Sequence, residues 1–205
     1  MSRFKLLASF IFFALVTSRS ASAQEFVDPD RPALVLFADG GGYSPLSHLD
    51  DSGQVDFTTG YTLGGGIGYQ FNRHVAVRGN LSFARDHGRD LSANPTISGI
   101  DGTEFNRLVY DADVQLRLPF SSGVAPYVFV GGGLVNVRPA VQSDEPSFTK
   151  GAGKVGVGLD YRIPRSNVGL YVSGTGWLYT WDRNGFDRAQ FDTTWSGGIS
   201  YRFGM

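Results

Sequence analysis

The 205-residue sequence contains no cysteine. That excludes disulfides, thiolate metal centres, a catalytic thiol and a lipidated N-terminal Cys. Lys and Glu are scarce too, three of each (Lys5, Lys150, Lys154; Glu25, Glu104, Glu145) against 16 Asp and 15 Arg. A water-soluble domain usually covers its surface with a mixture of all four. Long hydrophobic runs are missing as well. The apolar stretch Leu6 to Val16 is about eleven residues, and a helical span needs about 20. Membrane residence would therefore have to come from strands.

That short apolar stretch has Arg3 and Lys5 before it and Ala21-Ser22-Ala23 after it. This is the charged, apolar and small-residue order of a secretory signal peptide, cleaved near Ala23-Gln24. The reading assigns 1–23 to the signal, 24–32 to a short polar, proline-bearing lead-in and 33–205 to the folded domain. Removing 1–23 takes away three of the 18 Lys+Arg and leaves 15 against 19 Asp+Glu, a net charge of −4. That balance argues against nucleic acid as a partner. Export without disulfides suits a bacterial envelope.

What the sequence does have is glycine (28), Phe (16) and Tyr (9), laid out with period 2. From Phe57 to Phe71 the odd positions are mostly apolar, with aromatics near both ends. The even positions are polar or glycine. A two-residue repeat describes a strand, and fifteen residues is over twice the usual length in a globular domain. Similar patterns occur near 74–85, 105–118, 151–163, 168–179 and 191–203. Two further strands, near 33–43 and 125–137, have less certain facing. Short turns (72–73, 119–123, 164–167) alternate with long polar connections (44–56, 86–104, 138–150, 181–190). The expected fold is all-β: an eight-stranded antiparallel up-and-down transmembrane β-barrel, with turns and both termini at the periplasmic end and four loops outside.

The last strand carries Ser196, Gly198, Tyr201 and Phe203: a polar residue, a glycine, then two spaced aromatics. This resembles the C-terminal assembly signal of the small outer-membrane barrels of the OmpA-barrel, OmpX and opacity-like group. Members of that group usually end on the last aromatic, whereas this chain adds Gly204 and Met205. The resemblance covers 33–203 and implies a Gram-negative outer membrane, surrounding lipid, and the barrel-assembly machinery and periplasmic chaperones as partners.

Two bands of outward aromatics are expected: Phe57, Tyr61, Phe83, Tyr110, Phe191 and Trp195 toward the loops, and Tyr69, Phe71, Tyr161, Tyr201 and Phe203 toward the turns. The opposite faces carry Arg78, Asp111, Asp113, Arg117, Lys154, Asp160 and Arg162, with Arg202 and, less surely, Asp39. Facing lipid at mid-depth, each Arg or Lys would cost roughly 2–4 kcal/mol, so these groups are expected inside. The expectation sets Arg78, Arg117 and Arg162 against Asp111, Asp113 and Asp160. The interior of an eight-stranded barrel is only about wide enough for its own side chains. A plugged lumen is thus favoured over a narrow water path.

Other motifs carry little chemistry. Gly151-Ala-Gly153-Lys-Val-Gly156 has dinucleotide spacing, but the alternation continues through it where that motif needs a helix. His48, His74 and His87 lie far apart, so no metal site is assigned, and no cofactor. Ser82, Asp86 and His87 do not form an outward-facing catalytic set. The favoured reading is a non-enzymatic structural or surface-interaction protein whose loops bind a ligand. A narrow passive pore is the alternative, and a lipid-modifying enzyme comes third.

Overall fold

The alternating segments form nine β-strands in a computed structural model that describes residues 31–49, 54–91, 101–120, 122–139, 147–182 and 187–204. They are β1 (Ala33–Pro45), β2 (Val55–Phe57), β3 (Gly60–Gln70), β4 (Val75–Asp90), β5 (Glu104–Arg117), β6 (Val124–Pro139), β7 (Phe148–Arg162), β8 (Val168–Trp181) and β9 (Arg188–Gly204). Eight of them close a ring in the order β1-β3-β4-β5-β6-β7-β8-β9, and β9 pairs back onto β1 from Ala33↔Gly204 to Pro45↔Asp192. Every neighbour is antiparallel. Closure leaves no unpaired edge, which a strand in hydrocarbon requires. The signal peptide, most of the lead-in and Met205 lie outside the described residues.

The exterior is apolar and the interior polar. Leu63, Ile67, Leu81, Val114, Val130, Val157, Leu170 and Ile199 are exposed on the outer surface, while their sequence neighbours are mostly enclosed. Trp195 is 66% exposed. Toward the turn end, Tyr69 stacks edge-on against Phe71 and Tyr201 lies against Phe203, with ring centroids 4.8 and 4.7 Å apart. The two strands of uncertain facing are now assigned: Phe37 and Tyr43 of β1, and Tyr127, Phe129, Val135 and Val137 of β6, point inward.

The stretch 57–71 is not one uninterrupted strand, which corrects the sequence reading. β2 pairs with β4 as Phe57↔Gly88, whereas β3 pairs as Tyr61↔Arg85. Four residues on one side therefore oppose three on the other. This is a β-bulge, and one extra residue exchanges the two faces. Thr58 holds it: its backbone N–H donates to the His87 carbonyl at 2.7 Å, and its hydroxyl bonds to the same residue's backbone. Phe57 consequently turns inward and is 4% exposed, so it leaves the aromatic band. The connection read as 86–104 is also shorter, because β4 continues to Asp90 and encloses Asp86. Likewise β6 runs on to Pro139 and β7 begins at Phe148, shortening the connection read as 138–150.

The turns gather at one end. Asn72 caps the β3–β4 turn by accepting the backbone N–H groups of His74 and Val75 at 2.8 and 3.0 Å. Gly123 takes φ 82° before β6, a conformation that glycine adopts without strain.

Glycine also makes room for rings inside the narrow barrel. Phe37 sits directly across from Gly66, Tyr127 from Gly158, Phe129 from Gly156 and Tyr171 from Gly198. In each pair a Cβ on the glycine would lie 2.2–2.7 Å from the ring. Such cross-strand aromatic–glycine pairs recover packing that the bare glycine lacks.

Candidate functional site in the barrel lumen

Strand register builds the site. Arg78 on β4 is the direct cross-strand partner of Asp113 on β5, and Asn80 is the partner of Asp111. Asp113 faces Gly131 on β6, which in turn faces Lys154 on β7. A Cβ at Gly131 would lie 2.8 Å from the Asp113 Cβ. The glycine thus leaves the space through which Lys154 reaches across β6 to both acids.

Three charged tiers result. At the turn end, Asp160 accepts from Arg117 and, at 3.2 Å, from Arg202. Arg117 also donates to Gln70 Oε1 at 3.0 Å. In the middle, Arg78 donates twice to Asp113, at 3.0 and 3.1 Å. Lys154 Nζ lies 2.6 Å from Asp111 and 2.7 Å from Asp113, and Asn80 donates to the same two acids. The cations rest on rings: Arg78 over Phe129 at 5.1 Å, and Lys154 over Phe129 and Trp177 at 5.1 and 5.2 Å. Asp39 accepts the Tyr171 hydroxyl at 2.7 Å, across Gly198.

Toward the loops, Arg107 donates twice to Asp86, at 3.1 and 2.9 Å. It donates once more to the Tyr179 hydroxyl at 2.6 Å. That hydroxyl and Tyr43 both donate to Asp192. Above this cluster the interior becomes apolar. Phe57, Phe105, Phe148 and Trp181 stack with centroids 4.9–5.9 Å apart. Leu49, Val55 and Val137 complete a buried cap.

Sequence reading placed Arg78, Asp111, Asp113, Arg117, Lys154 and Asp160 on inward faces, and the barrel brings them into contact. Asp160 pairs with Arg117, and Arg202 joins it as a second described partner. Arg162 lies two positions along the same face of β7. Arg107, Asp86, Tyr43 and Tyr179 were missed. Arg107 shares the parity of Asp111 and Asp113, so the pattern could have found it. Asp86 needed the longer β4. Of the four assembly-signal residues, Ser196 bonds Ser173 at 3.0 Å inside, Gly198 floors Tyr171, and Tyr201 and Phe203 lie on the outer surface.

No group of three metal-ligating side chains occurs among the described residues. Gly151 to Gly156 lies within β7 and opens no helix. Ser82 and His87 sit on opposite faces of β4, and His87 is 3.8 Å from Glu104.

The model of the outer membrane protein beta-barrel domain matches residues 11–203. The chain belongs to this family. It is an outer-membrane barrel. No curated protein matches the sequence. Among solved structures it is similar to Neisserial surface protein A, NspA, with a TM-score of 0.63 and 16% identity, covering 83% of this chain and 97% of that one. It is also similar to OprG of Pseudomonas aeruginosa, with a TM-score of 0.53 and 14% identity, covering 86% and 98%. A third is Ail, the attachment invasion locus protein of Yersinia pestis, with a TM-score of 0.50 and 18% identity, covering 85% and 99%. At these identities the likeness is one of fold.

Proposed function

We propose that this outer-membrane barrel is a non-conducting scaffold that presents its four long connections at the cell surface for binding. The observation that carries this reading is the pairing of charges along the lumen beneath an apolar cluster. Three tiers of paired charges are topped by an apolar cap, and the described interior spaces measure only about 40 and 50 Å³. Voids of that size hold a few waters at most. Burial of the ion pairs makes the plug stiff, because opening it would leave charges unpaired in a low-dielectric interior.

The long connections leave from one end, and the strands beneath them are closed and fully paired. Binding residues on loops held by a rigid framework are a common arrangement. Delivery by an export signal at 1–23, and insertion through a C-terminal signal at Ser196, Gly198, Tyr201 and Phe203 read by assembly machinery and periplasmic chaperones, belong to the same proposal.

Purified protein in a planar bilayer is expected to show no steady conductance. The quadruple variant Phe57→Ala/Trp181→Ala/Arg107→Ala/Lys154→Ala is expected to conduct. A steady large conductance from the unmodified protein would sink the plug and favour the passive pore. Replacing 92–100 with a short glycine–serine linker should abolish cell-surface binding while leaving the folded barrel intact. Unchanged binding after replacement of each loop in turn would count against the scaffold role.

A further inference from the structure

Among the described residues, the turn-end half of the lumen is short of negative charge. Its cavity of about 40 Å³ is lined by Arg78, Arg117 and Arg202 but by only one carboxylate, Asp160. Arg78 is answered by Asp113. Arg117 and Arg202 must share a single oxygen, Oδ2 of Asp160. Among the described side chains that line this cavity, one positive charge is therefore left over. Arg162, on the same face of β7, would add the same sign and is not needed for the count.

A second observation points at the same place. Arg117 is 8% exposed, and its Nε–H finds no acceptor among the described residues. Its other two nitrogens are used, on Gln70 and Asp160. A buried donor without an acceptor is destabilising, and more so when charged. Buried charges are normally paired. A water would satisfy the hydrogen bond and leave the charge.

We propose that this cavity binds a small inorganic anion of halide size, held by the guanidinium groups of Arg117 and Arg202. The volume suits a single-atom anion with a water beside it, since one water needs about 10–15 Å³ of such space. The loop-end cluster leans the other way, with two carboxylates, Asp86 and Asp192, around Arg107. Among the described lumen groups, the charge balance therefore favours an anion at the turn end.

Bromide is the probe. Crystals of the detergent-solubilised protein grown in sodium bromide, measured at the bromine edge, should show an anomalous peak beside Arg117 Nε. In solution, bromide replacing gluconate at constant ionic strength should raise the unfolding temperature of the wild type saturably, by a few degrees. Arg117→Gln and Arg202→Gln should each lose that rise, and Arg202→Gln serves if Arg117→Gln does not fold. A lumen without anomalous density while bromide decorates the surface would overturn the proposal. So would an equal bromide response in wild type and variants. Neither readout depends on whether the lumen conducts.

Discussion

The guanidinium carbon of Arg107 lies 4.5 Å from the ring centroid of Phe57. The contact joins the charged interior to the apolar cap. It exists because the bulge at Thr58 turns Phe57 inward. Arg107 is 1% exposed, with Phe57 above it and Asp86 and Tyr179 around it.

Arg107→Ala should therefore destabilise the barrel by about 3–5 kcal/mol, because Asp86 and Asp192 would be left buried without their cation. The urea midpoint of unfolding in detergent measures this. Arg85→Ala is the control, since Arg85 pairs with Glu104 on the half-exposed outer rim and such pairs contribute about 0–1 kcal/mol.

Deleting Thr59 should remove the bulge and swing Phe57 to the outer surface. The cap then loses one of its four rings, a change comparable to Phe57→Ala, for which about 3–5 kcal/mol is expected. The same unfolding measurement applies. A deletion variant as stable as wild type would show that the cap contributes little.

Two glycines give a matched test of interior space. A Cβ at Gly198 would lie 2.4 Å from the Ala38 carbonyl oxygen and 2.6 Å from the Tyr171 ring, whereas a Cβ at Gly153 would meet nothing within 4 Å. Gly198→Ala should cost about 1–3 kcal/mol by overpacking, and Gly153→Ala should be close to neutral. The difference also separates a packing role for Gly198 from one in assembly alone: a packing defect lowers the stability of protein refolded without any assembly factor.

The three tryptophans report sidedness. Trp195 faces outward, while Trp177 and Trp181 are 6% and 1% exposed inside. In vesicles of acyl-brominated lipid, a variant retaining only Trp195 should be strongly quenched. A Trp195→Phe variant should retain its emission. Equal quenching of both would contradict the inside-out arrangement.

Period-2 alternation, with charges confined to one face, determined that the chain forms long strands, that they close on themselves, and that the charged face is enclosed. A lone arginine cannot face hydrocarbon cheaply, so facing was legible for β5, β7 and β9 from their charges, and for the uncharged β8 from apolar alternation alone. The pattern failed where both faces were apolar, as in β6. It also failed where an extra residue reversed the alternation, as at Phe57. Neither case has a purely local signal, since a bulge is defined by the partner strand. Which charges pair was likewise decided by the tertiary structure. Register across three strands sets Lys154 of β7 over Gly131 of β6 toward Asp113 of β5, and across another three brings Arg202 of β9 to Asp160 of β7. Those relations depend on how the ring closes, and closure is a property of all eight strands together.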